Sequence, residues 1–374
     1  MTPPIHRRRF LRDSGLVLGA LAFSGRASLA LGPQAPATAD DLATRAAAFL
    51  KSRQKADGSW SAERGPGISG LAVTALLRAR RATPAEPAIV KGLAYLEGFI
   101  SPKSGGLAEG PNSNYVTSIA LMAFHEANLG GKYDAQIKAG QTYLKTLQWD
   151  DGENKGQDDA FYGGAGYGGR SRPDLSNTSF FLEALRDTGL PADDPALKKA
   201  MVFVSRCQNL KSEFNDQPWA GKVDDGGFIY TPAAGGVSMA VPDKDANGGL
   251  RSYASMTYAG LKSMIYAGLK PDDPRVKAAS DYIAKHYSVD ENPGLGQAGL
   301  FYYYQNFAKA LSLVGKPTFT DAQGKAHDWK AELTAALAKR QAPEGSWVNP
   351  ADRFMEGDPN LVTSYGLLAL AYAK

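Results

Sequence analysis

Apolar residues recur along this chain at helical spacing, in two alternating grades. One set of segments, roughly 40–54, 86–100, 135–148, 195–208, 274–287 and 328–341, carries an apolar stripe with polar and charged residues opposite. The other set, roughly 68–80, 113–128, 175–188, 252–267, 299–314 and 360–373, is more apolar or aromatic. The first grade predicts helices with one face in water, the second helices covered on several sides. Asp194-Pro195 and Asp273-Pro274 mark two of the starts. Asp can cap free amides there, and Pro fits a first turn whose N–H groups have no helical partner anyway. The alternation predicts an all-α domain of six helix pairs, with six apolar helices inside six amphipathic ones.

The first-grade segments end in related sequence. Gln54 to Trp60 and Gln341 to Trp347 both read Q-x3-G-x-W, and Phe49 lies five residues before Gln54. Weaker copies follow Tyr143 (Gln148, then Gly152), Phe203 (Gln208, then Gly226-Gly227-Phe228), Tyr95 (Ile100, then Gly105-Gly106-Leu107) and Tyr282 (Tyr287). Repeats of this length signal stacked supersecondary units. In such a copy, Gln would bond carbonyls left open at the helix end, Gly would make the left-handed turn, and Trp would stack over the Gln amide. That is a structural staple, not a catalytic motif.

These repeats and paired helices resemble the terpenoid-cyclase and protein-prenyltransferase superfamily over about residues 38–374. The resemblance implies an α6/α6 toroid with its site in a central cavity, rimmed by the N-terminal ends of the inner helices. Squalene-hopene-type cyclases begin catalysis with D-x-D-D-T, the middle acid protonating an alkene. The matching segment is Asp174-Leu175-Ser176-Asn177-Thr178. It keeps the first Asp and the Thr but has Ser176 in place of the proton donor, and a serine hydroxyl is far too weak an acid for that step. Asp174, Asp158 and Asp159 are the candidate acids, should burial raise one of them; Asp174 also fits an ordinary N-cap. The D-x-C pair of zinc prenyltransferases is missing, since the single cysteine, Cys207, follows Ser205 and Arg206, and His125, His286 and His327 lack ligand spacing. A complement-type Cys-x-x-Gln thioester is missing too. No metal or cofactor is expected.

The first thirty residues differ in kind. Arg7-Arg8-Arg9-Phe10-Leu11-Arg12 precedes an apolar run from Gly15 to Phe23 and then Ser28-Leu29-Ala30, which reads as a twin-arginine export signal over 1–30, with the toroid domain over 31–374. Its five arginines against Asp13 account for the whole formal charge of +4, so the remainder is near neutral and no nucleic-acid partner is expected. One cysteine allows no intramolecular disulfide. The expected location is periplasmic or extracellular.

Candidate ligand-binding residues are the polar and aromatic ones at the predicted rim: Asn114, Tyr115, Tyr162, Tyr167, Asn177, Tyr258, Tyr303 and Tyr365. Tyr162 and Tyr167 lie in the glycine-rich 150–174 stretch, where glycines permit close approach to a ligand. The acid-rich half of that stretch lacks calcium-loop spacing. The expected partner is a small apolar or isoprenoid ligand, bound or transformed, and peripheral membrane contact is compatible with it. If active, the chain would be a cyclase-like isomerase or lyase. A non-catalytic binding toroid is the alternative. A secreted polysaccharide lyase using rim Tyr and Asn with Arg170 and Arg172 is a weaker third.

Overall fold

Thr38 opens the first helix with a reciprocal cap: its hydroxyl accepts from the Asp41 N–H at 3.1 Å while the Asp41 carboxylate accepts from the Thr38 N–H at 3.0 Å. A computed structural model describes residues 37–374, so the predicted export segment lies outside the described residues. The amphipathic helices are α1 (Ala39–Arg53), α3 (Pro87–Glu97), α5 (Asp134–Lys145), α7 (Pro195–Arg206), α10 (Pro274–Lys285) and α12 (Trp329–Ala338). Between them run α2 (Gly67–Arg78), α4 (Ser113–Glu126), α6 (Leu175–Asp187), α9 (Ala254–Tyr266), α11 (Leu300–Val314) and α13 (Pro359–Tyr372), with a short α8 (Ala220–Val223) in the connection before α9. Asp194 and Asp273 cap α7 and α10 immediately before the prolines, as expected. Strand structure among the described residues is one hairpin pairing β1 (Phe319–Thr320) with β2 (Ala326–His327).

The second-grade helices form a closed inner ring: α2 packs on α4, α4 on α6, α6 on α9, α9 on α11, α11 on α13, and α13 back on α2. Every residue of α2 from Gly67 to Leu77 is buried, which is why its sequence is apolar on all sides. The amphipathic helices pack outside this ring, each with one stripe inward. The chain is thus an all-α, α6/α6 toroid.

The repeated segments act as joints between successive units, with their parts in different roles from those expected. The Gln side-chain nitrogens donate forward: Gln54 to the carbonyls of Gly58 and Ala88, Gln148 to Gly163 and Ala196, Gln208 to Gly226 and Arg275, and Gln341 to Gly345 and Leu42. Each Gln therefore ties its own turn to the next outer helix, and Gln341 ties the last to the first. Gly163, not Gly152, is the turn glycine of the Gln148 copy. The helix-end carbonyl is taken by the indole instead: Trp60 donates to the Leu50 carbonyl at 2.7 Å, and Trp347 to the Leu337 carbonyl at 2.9 Å. Gly226 shows why glycine is needed, with φ +77° and a position where a Cβ would sit 2.3 Å from the Ala278 carbonyl oxygen of α10. In the fifth unit Tyr287 replaces Gln and still reaches the next outer helix, donating its hydroxyl to Glu332 of α12 at 2.9 Å.

The C-terminal ends of all six inner helices meet in a buried ionic plug that the sequence reading did not anticipate. Arg78 of α2 bonds Glu126 of α4 at 2.6 Å and Glu183 of α6 at 3.1 Å, and also pairs with Asp187 of α6 and the Tyr372 hydroxyl of α13. Lys262 of α9 bonds Glu183 at 2.7 Å, and Lys309 of α11 stands 3.6 Å from both Glu183 and Asp187. Three cations face three anions. Burial alone would raise the Glu183 carboxyl, but Lys262, Lys309 and Arg78 hold it well below the usual carboxylate range.

Candidate functional site

At the opposite end of the ring, the N-terminal turns of the inner helices enclose a cavity of about 560 Å³. Each inner helix contributes from its first turns: Ile68 from α2, Tyr115 and Val116 from α4, Ser176, Asn177 and Phe180 from α6, Met256 from α9, Tyr302 from α11, and Leu361 and Tyr365 from α13. Preceding loops add Glu63, Arg64, Tyr167, Tyr230, Met239, Tyr253, Phe354 and Met355. Tyr167, Phe354 and Met355 are partly exposed and mark the mouth. The floor includes Phe180, whose ring lies 5.7 Å from the Lys262 ammonium of the plug.

An aromatic belt runs round the wall. Tyr115 meets Phe180 edge-on at 5.5 Å and Tyr167 at 6.2 Å; Phe180 meets Tyr302 at 6.4 Å, and Tyr302 meets Tyr365 edge-on at 5.9 Å. Such rings offer broad apolar faces with negative π surfaces. Burial pushes the Tyr115 phenol up to about 12, with the Tyr365 hydroxyl pulling it back, so these phenols stay neutral.

Asp174 is the N-cap of α6: one carboxylate oxygen accepts from the Asn177 N–H at 2.9 Å and the other from the Asn177 side-chain amide at 2.8 Å. Burial raises it to about 6, against the Asn177 donors, the Tyr230 hydroxyl and the charge of Arg172, which hold it down. It stands behind the wall, since its neighbours Asn177, Tyr167 and Tyr230 line the cavity and it does not. Ser176, in the proton donor's place, shares a 2.8 Å hydrogen bond with the Tyr302 hydroxyl. The one carboxylate among the lining residues is Glu63, exposed at the mouth, held low by its own backbone N–H and by Lys55. No lining residue is therefore poised to deliver a proton.

The other candidates divide. Tyr115, Tyr167, Asn177 and Tyr365 line the cavity, whereas Asn114, Tyr162, Tyr258 and Tyr303 do not. Asn114 is buried and donates to the Gly166 carbonyl at 2.7 Å; Tyr303 donates to the Ser288 carbonyl at 2.6 Å and packs against Tyr258. Tyr162 lies half-buried near Lys199. Asp158 is exposed on an outer groove beside Arg206 and Phe214, and Asp159 is paired with Lys155 at 2.8 Å, so the acids of the 150–159 stretch lie away from the cavity. Tyr230 was missed. Its signal was the Gly226-Gly227-Phe228 copy, because residues just after such a turn reach the cavity, as Glu63 and Arg64 do after Trp60. Among the described residues no group of three or more His, Cys, Asp or Glu is arranged to hold a metal ion.

No protein-family model matches this sequence, and no curated protein does. Solved structures do match in shape. The type II terpene cyclase MstE from Scytonema superposes with a TM-score of 0.54 at 13% identity, over 89% of this chain and 97% of the cyclase. An arginine-to-alanine variant of that cyclase, in complex with its substrate geranylgeranyl dihydroxybenzoate, gives 0.53 at 13% identity over 90% and 97%. A possible member of the GH105 family from Salmonella enterica gives 0.51 at 11% identity over 94% and 98%. In fold, this chain is an α/α toroid of the kind shared by that terpene cyclase and that GH105-type protein.

Proposed function

We propose that this toroid is an exported binding protein for an isoprenoid or similarly apolar ligand, held in the central cavity, and that it does not perform alkene protonation of the D-x-D-D-T kind. The observation that carries this reading is the cavity: open at one mouth, walled for the most part by aromatic and aliphatic side chains, and lined by no buried acid. Its volume falls within the ~300–1,000 Å³ of small-molecule sites. That the cyclase sharing the fold has been captured with a geranylgeranyl substrate is consistent with it. Arg170 and Arg172, on which the polysaccharide-lyase reading drew, are exposed and neither lines the cavity; the arginine that does is Arg64, at the mouth, 3.5 Å from Asp358.

Incubation of purified protein with squalene, followed by mass spectrometry of the extract, tests the chemistry. Recovery of unchanged squalene is expected, and efficient cyclisation would overturn the reading. Export is tested by replacing Arg7 and Arg8 with Lys and fractionating cells. The variant is expected to stay in the cytoplasm, and its normal appearance outside would reject the twin-arginine route.

A further inference from the structure

Six tyrosines line the cavity, and five of them turn their hydroxyls to a group of the protein. The Tyr302 hydroxyl shares its 2.8 Å hydrogen bond with Ser176. Those of Tyr115 and Tyr365 face each other, that of Tyr230 faces the Asp174 carboxylate, and that of Tyr167 faces Tyr230 and Asn177. Tyr253 is the exception, with no hydrogen-bonding side chain at its hydroxyl among the described residues. It is 3% exposed, and burial holds its phenol well above the ordinary value, so the hydroxyl keeps its hydrogen. Nor is the atom sealed away. The unpartnered polar atoms shut off from solvent include the Tyr258 hydroxyl and Asn177 Oδ1, but not the Tyr253 hydroxyl. The residue is also held in place: it is the N-cap of α9, its carbonyl accepts from the Thr257 hydroxyl at 3.0 Å, and Gly294 lies so close that a Cβ there would come within 2.7 Å of the Tyr253 Cβ.

In the ring α9 stands between α6 and α11, and the helices across from it, α2, α4 and α13, contribute Ile68, Val116 and Leu361. The charged lining residues, Glu63 and Arg64, are exposed at the mouth and paired with Lys55 at 3.1 Å and Asp358 at 3.5 Å. One side of an otherwise apolar chamber therefore holds a fixed, unengaged donor with no free charge beside it. We propose that the ligand carries a neutral carbonyl, of ketone or quinone type, on its apolar body, and that Tyr253 donates to the carbonyl oxygen. A carbonyl accepts and brings no hydrogen of its own, which suits a phenol, a strong donor whose oxygen lone pair is drawn into the ring and accepts weakly. A bare hydrocarbon leaves the phenol unmet, and a buried donor without a partner weakens binding by about tenfold. This assignment rests on the reading of the cavity as an apolar-ligand site and adds the polar group which that reading leaves undefined.

The test compares purified protein with its Tyr253→Phe variant, using farnesylacetone, the alcohol obtained by reducing it, and the hydrocarbon of the same skeleton, each delivered from a cyclodextrin carrier at pH 8. Comparing one probe across two proteins removes the probes' different affinities for water. Tyr253→Phe is expected to weaken the ketone about tenfold and to leave the hydrocarbon unchanged or improved; because the hydroxyl has no partner in the protein, the fold should tolerate its loss. The unaltered protein should bind the ketone more tightly than the alcohol. A second readout needs no variant: the infrared carbonyl band of farnesylacetone labelled with carbon-13 at the carbonyl should lie at lower frequency in the complex than in hexane. An unshifted band, a ketone weakened no more than the hydrocarbon by Tyr253→Phe, or an alcohol bound as tightly as the ketone overturns the carbonyl proposal and leaves the apolar-ligand reading standing. Binding of none of the three probes overturns both.

Discussion

Asp174 gives the sharpest test of the electrostatics behind the cavity wall. Its carboxyl titrates at about 6 in the folded protein, chiefly through burial, whereas an Asp in an unfolded chain titrates near ~3.9. Because the folded value is raised, the native state holds the proton more tightly. The stability this contributes is fully present below pH ~4 and is lost as the pH rises through about 6. A separation of about two pH units corresponds to ~3 kcal/mol. Asp174→Asn cannot ionise, yet it keeps an oxygen for the Asn177 N–H that Asp174 now accepts at 2.9 Å. Its new amide nitrogen would face the Asn177 side chain, where rotation of that amide would offer it the oxygen that currently lacks a partner. The stability of the variant minus that of the unaltered protein should therefore rise by ~2 kcal/mol between pH 4, where an unfolded Asp is already about half ionised, and pH 7.5. Urea unfolding at a series of pH values measures it, and the other carboxyls raised by burial, Asp225 and Glu356 (the latter to about 7), are common to both proteins and cancel. A difference that stays flat across that range would refute the assignment of Asp174 as a carboxyl strained by burial.

Two further predictions concern the joints and the plug. Gly226→Ala and Gly248→Ala both force a left-handed conformation, at φ +77° and +71°, costing ~1 kcal/mol each, but only at Gly226 does the new Cβ meet backbone, 2.3 Å from the Ala278 oxygen, while at Gly248 it meets open space. Denaturation should therefore show Gly226→Ala worse by a further ~1–3 kcal/mol, and equal losses would reject the close-approach argument. Lys262→Met leaves Glu183 buried with Arg78 at 3.1 Å and Lys309 at 3.6 Å as remaining partners, so a loss toward the low end of ~3–5 kcal/mol is expected. Adding Glu183→Leu to it should recover part of that loss, and a double variant weaker than the sum of the single losses would contradict the pairing.

The fold was legible because burial leaves a mark on composition. A helix packed on every side has to be apolar all round, and that distinguished 68–80 or 360–373 from their amphipathic neighbours. The Gln148 joint was misread for a physical reason. Asp150 nucleates its own capped turn over Asp151–Glu153, so the chain makes an excursion and returns to the joint only at Gly163. Site residues were legible where helix position decides the face. Leu361 and Tyr365, four apart, share the cavity side of α13, as Ser176 and Phe180 do on α6. Tyr303 is one residue, about 100°, round from Tyr302, and that rotation turns it into the packing with Tyr258 and Phe307. No periodicity identifies which of two adjacent tyrosines faces the centre. The ionic plug escaped for the same reason, since Arg78, Glu183, Lys262 and Lys309 are scattered singly along apolar helices and become a cluster only when the ring brings their ends together.

The bond from Gln341 to the Leu42 carbonyl, with the packing of α13 on α2, changes how this repeat protein should unfold. An open array of helix pairs can fray from either end, because a terminal unit has a single neighbour and its loss sacrifices a single interface. Here no unit is terminal. Detaching any pair breaks two interfaces and leaves two raw apolar faces where there were none, so partial structures are penalised twice and melting should be all-or-none across the whole ring. Deleting the last pair is accordingly expected to destroy the domain, where the same deletion in a linear repeat would only shorten it.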